Sequence, residues 1–328
     1  MPIKSPFYPL LLVTSLMLSI SSCQKRESAL QYSPMQVERL DFAFADGSHV
    51  PGSQTDTAAI DLYLAVLGAD TIDRSAAISA VRDSRMMKVF GADVNMRLGS
   101  LDSIEVILGN IKSQLENGQL PNARLAKVYG IITPYRQSVI VSDSIVFVSL
   151  NHYLGKDYPG YEGLPQYQRE SKIKSRIPRD VAEAIVRINY PYIPINGSLI
   201  ERMLYEGAVI EATSCLTDLP YYSSMGLTKE QYSLLCNNEA EMWQYLAAND
   251  MLYSTVQSDI SRLVDPAPYT IFFRVQVPGQ AGSYIGNKII KQYLERNSNI
   301  PISHMLQPNF YSQVQEILIS SGYSPIKH

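Results

Sequence analysis

From residue 163 onward, prolines recur at 191, 194, 220, 266, 268, 278 and 301. A proline lacks the amide N–H and its ring crowds the preceding helical turn, so it sits between helices or in a first turn. The C-terminal half is therefore cut into many short helices rather than a few long ones. Between the prolines, apolar residues return at helical spacing. The pattern predicts helices over 164–170, 178–189, 198–214, 228–250, 256–264, 282–296 and 308–321. Thr228 with Gln231 has the form of a capping box, which fixes one helix start. "PGQAGSYIGNK" lacks the order of a phosphate loop. Its Gly279, Gly282 and Gly286 fit a helix start and close packing.

The first half mixes periods. "QVERLDFAF" (36–44) alternates as a strand does, and helical patterns follow at 57–67, 73–90 and 101–116. "RLAKVYGIIT", "QSVIVSD" and "SIVFVSLNHYL" read as strands, with a hairpin at the Ser-Asp between the last two. "TIFFRVQV" (270–277) is one more strand candidate. The expected class is α+β: mostly helical, with a small, mainly antiparallel sheet. No linker divides the chain, so residues 36–328 are expected to form one domain. With 46% apolar residues, a substantial core is available. A formal charge of −3 gives no basic surface for nucleic acid.

The N-terminus has its own logic. Lys4 precedes an apolar run from Phe7 to Ile20 that is short for a membrane span, and Ile20-Ser21-Ser22-Cys23 follows. This resembles the lipobox of bacterial lipoproteins, which implies a signal peptide over 1–22 and diacylation of Cys23. Acyl chains anchor a protein at about 0.8 kcal/mol per buried CH2 without a spanning helix. Residues 24–35 form a polar tether. Gln24, rather than Asp, implies outer-membrane sorting in typical lipoproteins. "QKRE" lacks the acidic run of a surface-export signal, which favours a periplasm-facing position. Cys215 and Cys236 then remain as candidates for one disulfide in an oxidising compartment, with two free thiols as the alternative.

Catalytic signatures are scarce. The four histidines never reach metal-ligand spacing, and neither H-E-x-x-H nor G-x-S-x-G occurs. No metal or cofactor is expected. His152 ends an apolar strand with Asp157 nearby, and is either a dyad member or a strand-end histidine. Two helices carry the other candidates. In "RDVAEAIVRI", Val181, Ala184, Ile185 and Ile188 form an apolar face opposite Asp180, Glu183 and Arg187. In "LIERMLYEGAVIEA", Leu199, Met203 and Ile210 form a stripe, with Glu206 on its edge and Glu211 directed into it. Glu201, Arg202 and Tyr205 fall on the outer or flanking face. Carboxylates beside an apolar stripe need partners, protons or water.

Together, "SLNHYLGKDYPGY", "IPRDVAEAI", "LIERMLYEGAVIEA", "LTKEQYSLLCNNEAEMWQYLAANDMLYS", "PGQAGSYIGNKIIKQYLE" and "ILISSGYSPIK" resemble the gliding motility-associated lipoprotein family GldB of Bacteroidetes. The resemblance runs from about residue 35 to 326. It implies an envelope lipoprotein with partners in gliding or in the type IX secretion apparatus. More distantly, the two helices look like a zincin-type peptidase core. Arg179-Asp180-Val181-Ala182-Glu183 would stand where H-E-x-x-H belongs, and Tyr205-Glu206-Gly207 where the third ligand would come. Both histidines are missing, which implies a non-catalytic descendant with a degenerate zincin-like core. In that reading His152, Asp180, Glu183, Tyr205, Glu206 and Glu211 line a remnant, ligand-contacting cleft. A metal-independent peptide-binding protein or hydrolase using that cleft is the alternative.

Overall fold

The computed structural model of the protein describes residues 33–41, 54–70 and 72–325. The expected signal peptide, Cys23, most of the expected tether and residues 42–44 of the expected 36–44 strand lie outside the described residues.

A four-stranded sheet has the order β1-β2-β4-β3. Its strands are β1 (Val37–Arg39), β2 (Lys127–Ile131), β3 (Val139–Ser142) and β4 (Ile145–Ser149). The β3–β4 hairpin forms where expected, with Ser142 opposite Ile145 and Asp143 in the left-handed region at φ 51°. The expectation of a mainly antiparallel sheet is corrected. β1 pairs parallel to β2, and β2 pairs parallel to β4. The hairpin is visible locally, but the parallel pairings join segments separated by helices or by another strand. Val128, Tyr129, Val146, Phe147 and Val148 are fully buried, as central parallel strands covered on both faces require. "TIFFRVQV" forms no strand. Flanked by Pro266, Pro268 and Pro278, it stays irregular, and the Thr270 hydroxyl donates to the Pro278 carbonyl at 2.9 Å.

The helices before β2 are α1 (Gln54–Val66), α2 (Arg74–Asp83), α3 (Arg85–Leu98) and α4 (Asp102–Glu116). The single helix expected over 73–90 divides at Ser84, whose hydroxyl caps α3 by accepting from Met87 N. After the sheet come α5 (Gln166–Glu170), α6 (Ile177–Asn189), α7 (Leu199–Thr217) and α8 (Tyr221–Ser224). Then follow α9 (Lys229–Asn237), α10 (Glu239–Ala248), α11 (Gln257–Val264) and α12 (Ala281–Arg296). The chain closes with α13 (Ile302–Met305), α14 (Pro308–Tyr311) and α15 (Val314–Ser321). The capping box at Thr228–Gln231 is present.

α7 is the hub. Sixteen of its 19 residues are buried, so it carries no solvent stripe and is packed on all sides. Its broadest contact is with α12, and the reason is glycine. A β-carbon on Gly207 would lie 2.2 Å from the Gly286 carbonyl carbon, and one on Gly286 would lie 1.7 Å from the Met203 oxygen. The two backbones touch at that crossing. The turn before α7 is held by Glu201, which is wholly buried. Its carboxylate accepts from the amides of Ile195, Asn196 and Gly197 at 2.7, 2.8 and 2.7 Å. The outer-face position expected for Glu201 is corrected accordingly. The sequence shows an N-terminal acid but not the loop that folds back onto it.

Candidate functional site

The polar face of α6 is only partly exposed. It faces α7 across a cavity of about 670 Å³ whose walls also come from α4, α5, the start of α9 and residues 264–280. Across the α6–α7 gap runs a ladder of ion pairs. Arg179 bonds Glu183 through a short contact, and Asp180 at 3.1 Å. Arg187 donates to Glu183 at 2.9 Å and to Glu206 at 2.6 Å. Arg202 closes the series on the other oxygen of Glu206 at 2.8 Å. Arg179 also donates through Nε to the Ser224 carbonyl at 3.0 Å. Arg202 lies over the Tyr192 ring at 4.6 Å.

The spacing explains the order. Arg179, Glu183 and Arg187 are successive i,i+4 neighbours on α6, and Arg202 and Glu206 are i,i+4 on α7. Arg187 then crosses between the helices. Burial alone would raise the Glu183 carboxyl, but Arg179 and Arg187 outweigh it and hold the group down at about 2. Burial would lower Arg187, and Glu183 with Glu206 drive it well above its ordinary value instead.

The expected cleft residues divide into two groups. Glu183 and Glu206 line the cavity. Asp180 sits at its edge, bonded to Arg179 and accepting from the Tyr153 hydroxyl at 2.9 Å. The other three are elsewhere, and their assignment to the cleft is corrected. The Tyr205 hydroxyl donates to the Tyr190 carbonyl at 2.9 Å, and its ring packs edge-on against Tyr311. Glu211 points toward α12, where Tyr221 donates to it at 3.1 Å and Asn287 at 3.3 Å. Burial keeps its pKa above the usual carboxylate value. His152 lies beyond the hairpin with Nδ1 2.9 Å from the Ser138 hydroxyl. Burial and then Lys172 push it down to about 4, so it is neutral at pH 7. The disulfide expected as a candidate is absent: Cys215 and Cys236 are free and exposed. Cys215 neighbours Glu211, whereas Cys236 faces the hydroxyls of Tyr232 and Tyr284.

Two arginines of the cavity escape a reading from helical faces. Arg176 precedes α6, yet it continues the row 176, 180, 183, 187 along the same side. That i,i+4 and i+7 spacing was the available signal. Arg202 falls on the outer face of an isolated α7 and is enclosed only because α6 packs there.

The sequence model of the family described as gliding motility protein GldB matches residues 22–325, nearly the whole chain. This chain belongs to the GldB family. No curated protein and no solved structure matches it. In this GldB-family chain the three positions compared with a zincin ligand set, 179, 183 and 206, do converge on one cavity. They carry a guanidinium and two carboxylates already bound to guanidiniums. A guanidinium only donates and cannot ligate a cation. Among the described residues no group of three His, Cys, Asp or Glu side chains is placed to hold a metal ion. The small mixed sheet does not by itself establish the zincin-like core that the resemblance implies. Among the described residues no helix is long and apolar enough to cross a membrane.

Proposed function

We propose that this GldB-family chain is a non-catalytic, lipid-anchored component of the cell envelope. In this reading Cys23 carries the acyl chains, the body faces the periplasm from the outer membrane, and the protein works by contacting proteins of the gliding or type IX secretion apparatus. The observation that carries the proposal is the ladder in the cavity. Its carboxylates, Glu183 and Glu206, accept from Arg179, Arg187 and Arg202, so each is engaged by cations on two sides. A general base needs a pKa near the working pH, and Glu183 is held far below it. Family membership supplies the link to gliding motility, and the Ile20–Cys23 sequence supplies the anchor.

Affinity isolation of the tagged native lipoprotein from detergent-solubilised envelopes tests this reading. Recovery of defined envelope proteins is expected. Isolation of the chain alone, or a signal peptide cleaved elsewhere than before Cys23, would sink it. So would stoichiometric zinc together with peptidase activity in the purified protein.

A further inference from the structure

Arg176 is the anomaly of the cavity wall. Its side chain is only 19% exposed, and its nearest carboxylate oxygen, on Asp180, is 3.8 Å away. That is beyond hydrogen-bond range. Its Nε, like that of Arg202, is buried with no partner. Arg179, Arg187 and Arg202, by contrast, each hold at least one carboxylate within 3.1 Å. Four guanidiniums therefore share three carboxylates, those of Asp180, Glu183 and Glu206, and Lys172 adds another cation near Asp180. The remaining acids on the wall, Glu170 and Asp265, are exposed.

A largely enclosed cation whose one ion pair is long and whose Nε has no partner is costly, and the cost is relieved by an anion that takes up its donors. The surroundings are shaped for one. The loop over Arg176 carries Gly226 at φ 74°, and a β-carbon there would fall 2.2 Å from the guanidinium. A side chain at Gly226 would push the guanidinium tip aside, and the positive φ there also favours glycine. Ser171, Ser175 and Ser223 also line the cavity. At about 670 Å³ the space suits an organic molecule rather than a bare ion. Ile104, Leu227 and Val264 on its walls would cover an apolar body.

We infer that the cavity between α6 and α7 binds a small organic oxyanion, a carboxylate or a phosphate, whose charged group is gripped by Arg176. A guanidinium fork matches either oxyanion in two parallel hydrogen bonds. The ladder of Arg179, Glu183, Arg187, Glu206 and Arg202 forms the rigid floor beside it. This inference goes beyond the envelope-scaffold reading and does not depend on it, since the cavity is present whatever partners the outside of the molecule meets.

The test uses the full-length chain in detergent, with thermal unfolding followed against inorganic phosphate and citrate. Chloride at matched ionic strength is the control. A rise in Tm beyond chloride is expected. Phosphate alone assigns a phosphorylated ligand, citrate alone a carboxylate, and both together the shared chemistry. Stabilisation by neither probe overturns the inference. In Arg176→Gln the probe affinity should fall about tenfold or more, as loss of a charge-assisted pair does. The probe-free Tm should hold or rise, because a largely enclosed charge with only one long ion pair has gone. A lower probe-free Tm with an unchanged probe response makes Arg176 structural and refutes the proposal. Should Arg176→Gln not fold, phenylglyoxal labelling of the wild-type protein reads the same residue by mass spectrometry. Protection of Arg176 by the effective probe is expected, and labelling that ignores the probe is the contrary result.

Discussion

Replacing Gly286 with alanine tests the claim that the fold turns on one backbone crossing. Alanine is the better helix former by about 0.8–1 kcal/mol, so propensity alone predicts stabilisation. The crossing predicts the opposite. The new β-carbon would lie 1.7 Å from the Met203 oxygen, where real β-carbons stay beyond 3.0 Å. Relief requires α7 and α12 to part by more than 1 Å. A gap of about 0.5–1 Å already forfeits a quarter to a half of the dispersion attraction across a contact. This is the broadest helix–helix contact in the molecule. Separation also stretches the 3.2 Å bond from Asn287 to the Gly207 carbonyl. Overpacking in a filled core costs about 1–3 kcal/mol. Adding the lost contacts, Gly286→Ala should cost about 3 kcal/mol or more, a fall in Tm of roughly 5 °C or more at about 2.1 cal/mol/K of unfolding entropy per residue. Gly91, in α3, is the control: nothing lies within 4 Å of a β-carbon there. Gly91→Ala should be neutral or stabilising by up to about 1 kcal/mol. Urea denaturation of both variants supplies the values. Equal behaviour of the two would refute the crossing argument.

Three further expectations follow from the polar interior. Glu206→Gln removes the charge between Arg187 and Arg202 and turns one acceptor oxygen into a donor, and it should cost about 2–3 kcal/mol, below the range of a wholly buried pair because Arg187 is 36% exposed; chemical denaturation measures it, and a loss under 0.5 kcal/mol contradicts the ladder. Glu201→Ala leaves three amides without their acceptor and should cost about 3 kcal/mol or more, with faster hydrogen exchange at residues 195–197 as its local signature. His152 is held near 4 in the fold against an ordinary 6.5, so the unfolded chain binds its proton first; its contribution is complete above pH 6.5 and is lost as pH falls toward 4. Unfolding midpoints measured from pH 7 to 4 should therefore slope less in His152→Gln, and parallel slopes would contradict the buried neutral ring.

Local chemistry was legible in the sequence, and long-range pairing was not. Thr228 and Gln231 announce a cap because both partners lie within one turn. The β3–β4 hairpin is legible for the same reason. The parallel β1–β2 pair joins residues about ninety positions apart, and alternation cannot say which distant strand is the neighbour. "TIFFRVQV" has the composition of a strand but finds no edge to join. At the site, Glu183–Arg187 is legible as an i,i+4 pair. What encloses that pair is α7, and a helical wheel of α6 alone shows only a polar face. Glu211, read as directed into the apolar stripe, is buried, but its acceptor role toward Tyr221 and Asn287 depends on α8 and α12. The excess guanidinium at Arg176 emerges only when the charges of both helices are counted across one cavity.

The first described residues have a mechanical consequence. Ser33 crosses α4 at Gly109, where a β-carbon would fall 2.3 Å from its carbonyl oxygen. Glu105 then fastens the chain twice, its carbonyl accepting from Met35 N at 2.9 Å and its carboxylate from Val37 N at 3.0 Å. β1 follows at the sheet edge, paired with β2 over three residues. With an acyl anchor at Cys23, any pull between membrane and body enters through this strap. The load reaches Glu105 and the edge strand before it reaches α7 or the cavity. Under tension the molecule would yield first at its N-terminal fastening and leave the binding chamber whole.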